Sequence, residues 1–298
     1  MRVLCRLAML MATGLVVQSA SALELENFRI NADVTATYDD NQSQAGRSRD
    51  KVEDVSLSAQ ASLSWFRQLG VRNMIILSGF AEAERFVDIT PLDRNTFGTS
   101  LAWRWQPHSG FSAPLVEWNL SVQGDDYQVD QRDSTVMRSQ LFITRRFTDR
   151  ITMSAGAEYR QRESRSTVFD LADTRVFWNL DYLFRQKYAF YTTYSYLSGD
   201  IFSSAQQVFC NGVPAVDILP LINASTALEP DQAYNESLCG EWIAYRLDGT
   251  THAMTAGLNM PFGKSAALDF SLMHVDVSAD LGNRYERNLV RASLLKRF

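Results

Sequence analysis

The chain has 298 residues, of which 46% are hydrophobic and 21% are charged, and its formal net charge at pH 7 is −5. A mildly acidic chain gives no support for nucleic-acid binding. No stretch of eighteen consecutive apolar residues follows residue 22, which argues against a transmembrane helix in that part of the chain.

The amino-terminal segment has the pattern of a secretory signal. Two arginines precede an apolar run at 7–17, and Ala20 and Ala22 follow it at the spacing of a cleavage site. We predict that residues 1–22 are removed and that 23–298 form one domain, because no linker, repeat or low-complexity tract divides them. Removal takes away two arginines and no acidic residue, so the net charge becomes −7.

Twelve later segments alternate apolar and polar residues with a period of two. In the clearest one, Val55, Leu57 and Ala59 share one parity, while Ser56 and Ser58 share the other. Successive side chains of a strand point to opposite faces, so each segment has one apolar and one wet face. Polar faces rich in serine and glutamine favour a watery lumen. The predicted strands are 28–38, 55–67, 74–87, 96–106, 115–124, 134–147, 151–162, 174–184, 188–197, 250–262, 266–277 and 285–298.

Short and long connections alternate along these strands. Short turns at one end and long loops at the other are typical of bacterial outer-membrane barrels, where an even strand number puts both termini in the periplasm. The tight turns fall at 68–73, 107–114, 148–150, 185–187 and around Gly263. The longer loops fall at 39–54, 88–95, 125–133, 163–173, 198–249 and 278–284.

Large aromatic residues sort to the two ends of the predicted strands, as expected for two membrane interfaces. The tight-turn end carries Trp65, Trp103, Trp105, Phe147, Phe184, Tyr188, Phe262 and Phe298. The loop end carries Tyr38, Phe97, Tyr159 and Tyr196.

The last strand alternates Val290, Ala292 and Leu294 and ends at Phe298. With the signal segment and the alternating strands, the chain resembles Gram-negative outer-membrane β-barrel proteins as a class. The resemblance implies a twelve-stranded antiparallel transmembrane barrel, set among outer-membrane lipids and lipopolysaccharide, with short periplasmic turns and long extracellular loops. It also implies that Phe298 is the recognition signal for the barrel-insertion machinery. Lys296 departs from the apolar run usual in that strand.

Charged residues of the polar parity predict the character of the lumen. We expect a basic wall in the outer half that faces an acidic wall, and such a transverse field orients polar solutes in a narrow channel. The predicted walls are Arg138, Arg160, Arg162 and Arg175 on one side and Glu82 and Glu84 on the other. The sequence thus favours a porin-like channel for small polar or charged solutes. The alternative is that these charges pair and seal the barrel, which would then act as a receptor, adhesin or anchor.

The loop predicted at 198–249 contains Cys210 and Cys239, the two cysteines that remain after the signal. In an exported protein they form a plausible disulfide, and the alternative is two free thiols. The apolar stretch 213–222 has reason to fold back into the barrel mouth, where it would gate a channel, or to form part of an ordered extracellular cap.

Two histidines are predicted to lie side by side at the outer rim of the barrel. A turn centred on Gly263 would place His252 opposite His274 on the lipid-facing parity, with Thr250 and Asp276 one step further out. This placement is similar to outer membrane phospholipase A and implies an alternative function, a lipid- or lipopolysaccharide-modifying enzyme. No serine falls on the matching face, so these four residues are weak catalytic candidates beside the simpler interpretation of interfacial histidines.

No other pattern in the chain carries chemistry. The sequence has no glycine-rich phosphate loop and no HExxH, CxxC or G-x-S-x-G motif, so we expect neither a cofactor nor a metal.

Overall fold

The protein is described from a computed structural model, which covers residues 27–185, 187–207, 209–210, 213–214, 225–279 and 283–298. The predicted signal, 1–22, lies outside the described residues. None of the helices in the described ranges is long and apolar enough to cross a membrane.

Most of the described chain is β-strand. The strands are β1 (Phe28–Asp39), β2 (Asp54–Gln68), β3 (Asn73–Phe86), β4 (Arg94–Trp105), β5 (Leu115–Tyr127), β6 (Ser134–Arg146), β7 (Ile151–Ser164), β8 (Leu171–Phe184), β9 (Tyr188–Gln207), β10 (Phe209–Cys210), β11 (Val213–Pro214), β12 (Ala227–Pro230), β13 (Glu241–Phe262), β14 (Ala266–Ala279) and β15 (Arg284–Arg297). A short helix, α1 (Gln232–Ser237), follows β12. Single 3-10 turns lie at Ser48–Asp50, Thr90–Leu92, Asp130–Arg132 and Thr167–Phe169.

Twelve of these strands close into an antiparallel barrel. Each of β1 to β9 pairs with its neighbour along the chain, β13 pairs with both β9 and β14, and β15 pairs with both β14 and β1. The closing ladder of β1 and β15 runs from Asn31 opposite Arg297 to Asp39 opposite Leu289. The predicted twelve-stranded barrel is confirmed, because no edge is left between β1 and β15.

The alternation of the sequence places the apolar parity on the outer face. Leu63, Leu77 and Leu101 are close to half exposed, with 47%, 48% and 45% of their surface accessible. Large apolar side chains in such numbers are unstable against water, whereas they suit a surface covered by lipid. The predicted turn-end aromatics Trp103, Trp105 and Phe147 share this exposed face.

Two strands rise well beyond the others at the loop end. β9 continues to Gln207 and β13 begins at Glu241, and the two remain paired up to Glu241 opposite Gln207. The loop predicted at 198–249 is therefore wrong at both of its bounds, since strand occupies its first ten and last nine residues. The short strand β12 adds to the outer part of β13.

The sorting of apolar and polar residues inverts near the loop end of β14. From Leu268 to Leu272 the apolar residues face outward, but beyond them the outward positions are His274 and Asp276. The inward positions there are Met273, Val275 and Val277, which line an internal cavity. The expectation that polar residues line the whole lumen is wrong for this sector, because the barrel wall here has polar side chains outside and apolar side chains within.

A pair of substitutions on β2 tests the assignment of faces. Ala61 pairs with Ala32 and Ala81 on the outer face at mid-strand, and Ser62 is the next residue on the inner face. An arginine at a lipid-facing midplane position costs about 2–4 kcal/mol of folding free energy, whereas the wet lumen solvates it. We expect Ala61→Arg to lower the free energy of unfolding in lipid vesicles by that amount and Ser62→Arg to lower it much less. Equal losses in the two variants, measured by urea titration, would contradict the assignment.

Candidate functional site

Connections from three parts of the chain meet over the loop end of the barrel in an apolar cluster. Ala233 and Tyr234 of α1 are buried against Ile89, which precedes the 3-10 turn after β3, and against Leu92, which ends that turn. The same cluster includes Val129, which precedes the 3-10 turn after β5. Trp242 at the start of β13 stacks on Tyr234 with ring centroids 5.2 Å apart. Burial raises the pKa of the Tyr234 phenol above its usual range, so it stays neutral. We call this assembly of loop residues the cap.

A buried ion pair joins two loops of the cap region, and a serine of β9 connects this pair to the barrel wall. Arg132 donates from Nη2 to Oδ2 of Asp231 over 2.8 Å, and the two side chains are only 8% and 0% exposed. Ser204 of β9 donates to the same oxygen over 2.5 Å. The guanidinium lies over the ring of Phe169, 4.2 Å from its centroid. A buried pair contributes little net stability, but the loss of one member leaves the other charged and unpaired, which strongly destabilises the surrounding structure.

The first long loop also packs at the loop end. Its residues Asn41, Ser43 and Ala45 are buried, and Ser203 of β9 donates to the carbonyl oxygen of Gln44 over 2.7 Å. Tyr285 of β15 donates to Oε1 of Gln44 over 2.8 Å. Gln44 has φ 56°, in the left-handed region that residues other than glycine rarely adopt, so these contacts hold a strained backbone.

Asp50 in the same loop is also buried. Its Oδ2 has no hydrogen-bond partner among the described residues, while its Oδ1 lies 3.3 Å from Nε of Arg49. Burial raises the pKa of the Asp50 carboxyl, because the charged form loses its hydration, and the neighbouring Arg49 partly opposes that rise.

Two cavities of about 290 and 330 Å³ lie in the loop half of the lumen. Gln44, Arg162, Phe202 and Arg287 line both of them, so the two cavities share a boundary at these side chains. We call the joint space the vestibule. It is lined by side chains of the strands and also by Leu92 and Arg132, which belong to the cap region.

Four of the six predicted pore residues have ionic partners on neighbouring strands. Arg160 reaches Asp173 at 2.5 Å, and Arg175 lies 4.0 Å from Glu158 and donates to Ser195. Arg94 of β4 lies 2.8 Å from Glu84 and 3.9 Å from Glu82. Each of these pairs joins adjacent strands and reduces the charge that either wall presents.

Arg138 and Arg162 differ from the other predicted pore residues. Arg138 donates to Oε1 of Gln123 over 2.8 Å, and Arg162 donates from Nε to the hydroxyl of Ser134 over 3.0 Å. Within the described ranges, neither arginine forms an ion pair with a carboxylate. These two residues therefore retain most of the positive charge of the predicted basic wall.

Sequence reasoning missed two arginines of the site. Arg94 lies just before the strand start predicted at residue 96, and Arg287 belongs to the inward parity of β15. Arg287 donates to Asp39 of β1 and, over 3.1 Å, to Oε1 of Gln42. The alternation of β15 puts residue 287 on the inward face, so the sequence pattern could have identified Arg287 as a lumenal residue.

The two rim histidines do not face each other. The turn spans 263–265, so His252 lies opposite Asp276 and His274 lies opposite Met254, two residues away from the predicted register. The prediction that His252 and His274 are directly opposed is therefore wrong, although both stay exposed on the outer parity.

Each histidine has its own partner. Tyr194 Oη and His252 Nδ1 are hydrogen-bonded at 2.7 Å, and His274 Nδ1 lies 2.8 Å from Oδ1 of Asn288. Asp276 pairs with Arg284 at 2.5 Å, and Thr250 lies opposite Ser278. Both histidines sit at the height where the outer face changes from apolar to polar, which is where an interfacial residue is stable. In the described part of the chain, no group of three His, Cys, Asp or Glu side chains could hold a metal ion.

The cysteines lie in the outer loop region. Cys239 is exposed and forms no disulfide with a described residue, while the side chain of Cys210 lies outside the described residues. The disulfide between them stays a prediction. Of the apolar stretch 213–222, only 213–214 is described, as strand β11.

Comparison with solved structures places this fold among known ones. No protein-family model matches the sequence, and no curated protein sequence does. An outer membrane channel from Pseudomonas putida F1 is 9% identical with a TM-score of 0.56, and the match covers 91% of this chain and 96% of that one. The chain has the fold of an outer-membrane β-barrel protein.

Two further outer-membrane barrels match less well. The KdgM porin, in complex with disordered oligogalacturonate, is 11% identical with a TM-score of 0.44, and the match covers 90% of this barrel and 99% of that chain. An anion-selective porin from Comamonas acidovorans is 8% identical with a TM-score of 0.40, covering 91% and 98% of the two chains. At such identities the likeness concerns the fold alone.

The buried pair of Arg132 and Asp231 generates a prediction about the cap. We expect Arg132→Met to speed hydrogen exchange in α1 and proteolysis around it, because the loss of one member of a buried pair costs about 3–5 kcal/mol. Arg165→Met is the matched control, since its pairs with Asp130 and Asp133 involve a largely exposed guanidinium. If both variants exchanged at the wild-type rate, the pair would not hold the cap.

Proposed function

We propose that this barrel is an outer-membrane channel for small polar or charged solutes, narrowed at its loop end by the cap. The observation that carries the proposal is the vestibule, a charged internal space bounded by both strands and loops. A barrel whose lumen is filled by its own side chains leaves no such internal space. One solved protein of this fold, the Pseudomonas putida F1 structure, is itself an outer membrane channel.

The proposed orientation puts the loop end and the cap outside the cell and both termini in the periplasm. Alternating short turns and long loops support it, because outer-membrane barrels carry the short turns on the periplasmic side. The outer face then contacts membrane lipid and lipopolysaccharide. Phe298, whose amide donates to the carbonyl oxygen of Ile30 over 2.9 Å, is the proposed signal for the barrel-insertion machinery.

Planar-bilayer recording tests the proposal. We expect the folded wild-type barrel to conduct weakly and Arg132→Met, which loosens the cap, to raise the mean current severalfold. Arg165→Met should conduct like the wild type. The absence of current from all three inserted barrels would instead favour the sealed alternative, a receptor, adhesin or anchor.

Ion selectivity tests the basic wall. Arg138 faces the lumen without a carboxylate partner among the described residues, and Arg145 lies on the outer parity of the same strand. Removal of a lumenal positive charge lowers the local concentration of anions. We expect Arg138→Gln to shift the reversal potential in a salt gradient toward cation selectivity and Arg145→Gln to leave it unchanged. Equal reversal potentials in the two variants would count against Arg138 as a pore residue.

A further inference from the structure

The vestibule combines an apolar wall with a cationic one. Ile201, Met273, Val275 and Val277 contribute apolar side chains from β9 and β14. Arg162 of β7 and Arg287 of β15 line both cavities and lie on strands from distant parts of the barrel circumference. A solute held here therefore meets hydrocarbon on one part of its surface and guanidinium groups on another.

Arg162 has hydrogen-bonding capacity to spare. Its Nε donates to Ser134, and its Nη2 donates to the carbonyl oxygen of Arg132 over 3.1 Å and to the hydroxyl of Tyr127 over 3.4 Å. Its Nη1 donates to none of the described residues. A guanidinium has five N–H donors, so two remain for a solute.

Arg287 shows the same pattern from across the lumen. Its Nε and Nη2 donate to Asp39, and Nη2 also donates to Gln42. Its Nη1 has no acceptor among the described residues. The vestibule thus presents unused donors on two positively charged groups.

The carboxylates around the vestibule are already engaged. Asp54 accepts hydrogen bonds from the backbone amides of Val55, Asp88 and Ile89. Glu84 accepts from Ser56 and from Arg94. The residues that line the two cavities include six arginines and five carboxylates, so this space has unused hydrogen-bond donors and one positive charge in excess, which an anionic acceptor satisfies.

We propose that the vestibule binds an organic carboxylate with an apolar body, such as benzoate. Its carboxylate lies between Arg162 and Arg287, and its body lies against Met273, Val275 and Val277. The inference rests on the proposed function in that the bound solute is the one that the channel passes. Together, two adjoining cavities of about 290 and 330 Å³ reach the size of ordinary small-molecule sites.

Other solute classes satisfy only one wall. A neutral hydrocarbon leaves the guanidinium donors without acceptors, and buried polar groups without partners are costly. An inorganic anion or a sugar leaves the apolar wall in contact with water, so it forfeits the hydrophobic contribution. A carboxylate on an apolar body satisfies both walls at once.

Calorimetry on the full chain, folded in detergent, tests this inference with three probes. Benzoate carries both features, acetate carries only the carboxylate, and benzyl alcohol carries only the ring. We expect benzoate to bind at least about tenfold more tightly than either of the others, the size expected for loss of one charged hydrogen bond or one buried apolar group.

Variants separate the two walls. Arg162→Gln should weaken benzoate binding about tenfold or more and leave benzyl alcohol unchanged; it strands no carboxylate, so the barrel should fold. Met273→Ser should weaken benzoate but not acetate. Arg175→Gln is the matched control, because Arg175 is a lumenal arginine that lines neither cavity.

The possible results are distinct. No benzoate heat from a folded barrel that conducts would overturn this inference and leave the proposed function standing. Benzoate binding to a barrel that does not conduct would support the binding site and overturn the proposed function. Equal weakening by Arg162→Gln and Arg175→Gln would overturn the assignment of the carboxylate to Arg162.

Discussion

The closed backbone ladder is the constraint on which the rest of this structure depends. Within lipid, each peptide group needs a partner in the protein, and strands satisfy that need only when the first pairs with the last. Here β1 pairs with β15, with Val34 opposite Leu294, and β9 pairs with β13 across a long connection. Once the ladder closes, parity decides which side chains meet lipid and which meet the lumen. The extra length of β9 and β13 carries the same ladder past the lipid and supports the cap.

The inversion of parity separates the molecule into two regions with different interiors. In the lipid-embedded part, apolar side chains such as Leu268 and Leu272 face outward around a polar lumen. Beyond His274 the wall has polar side chains outside, and Val277 and Tyr285 are buried within. The second region packs like a soluble protein, with loops supplying the apolar cap. A vestibule at this junction has one apolar and one charged wall because it borders both regions.

Parity predicted the strands well and the contacts between them poorly. Lipid and lumen impose a period of two, which predicted the twelve strands to within a few residues except at 198–207 and 241–249. In β13 the alternation is lost there, because Trp242 and Ala244 are buried on one parity and Tyr245 and Leu247 on the other. The turn after β13 was predicted one residue too early, which shifted the residue opposite His252 by two positions but kept His252 on the outer face. Pairs such as Arg94 with Glu84 depend on relative height, which parity does not contain. The cap depends on contacts such as Arg132 with Asp231, separated by 99 residues, and no local pattern predicts them.

Spin labels placed singly along β14, from residue 268 to residue 277, test the central claim most directly. Accessibility to oxygen reports lipid, and accessibility to a polar relaxant reports water. We expect lipid exposure at 268, 270 and 272, water exposure at 274 and 276, and low access to both reagents at 277, where Val277 is buried. A single unbroken alternation, with lipid at every even position and water at every odd one through 277, would contradict the inverted sector and with it the apolar wall of the vestibule.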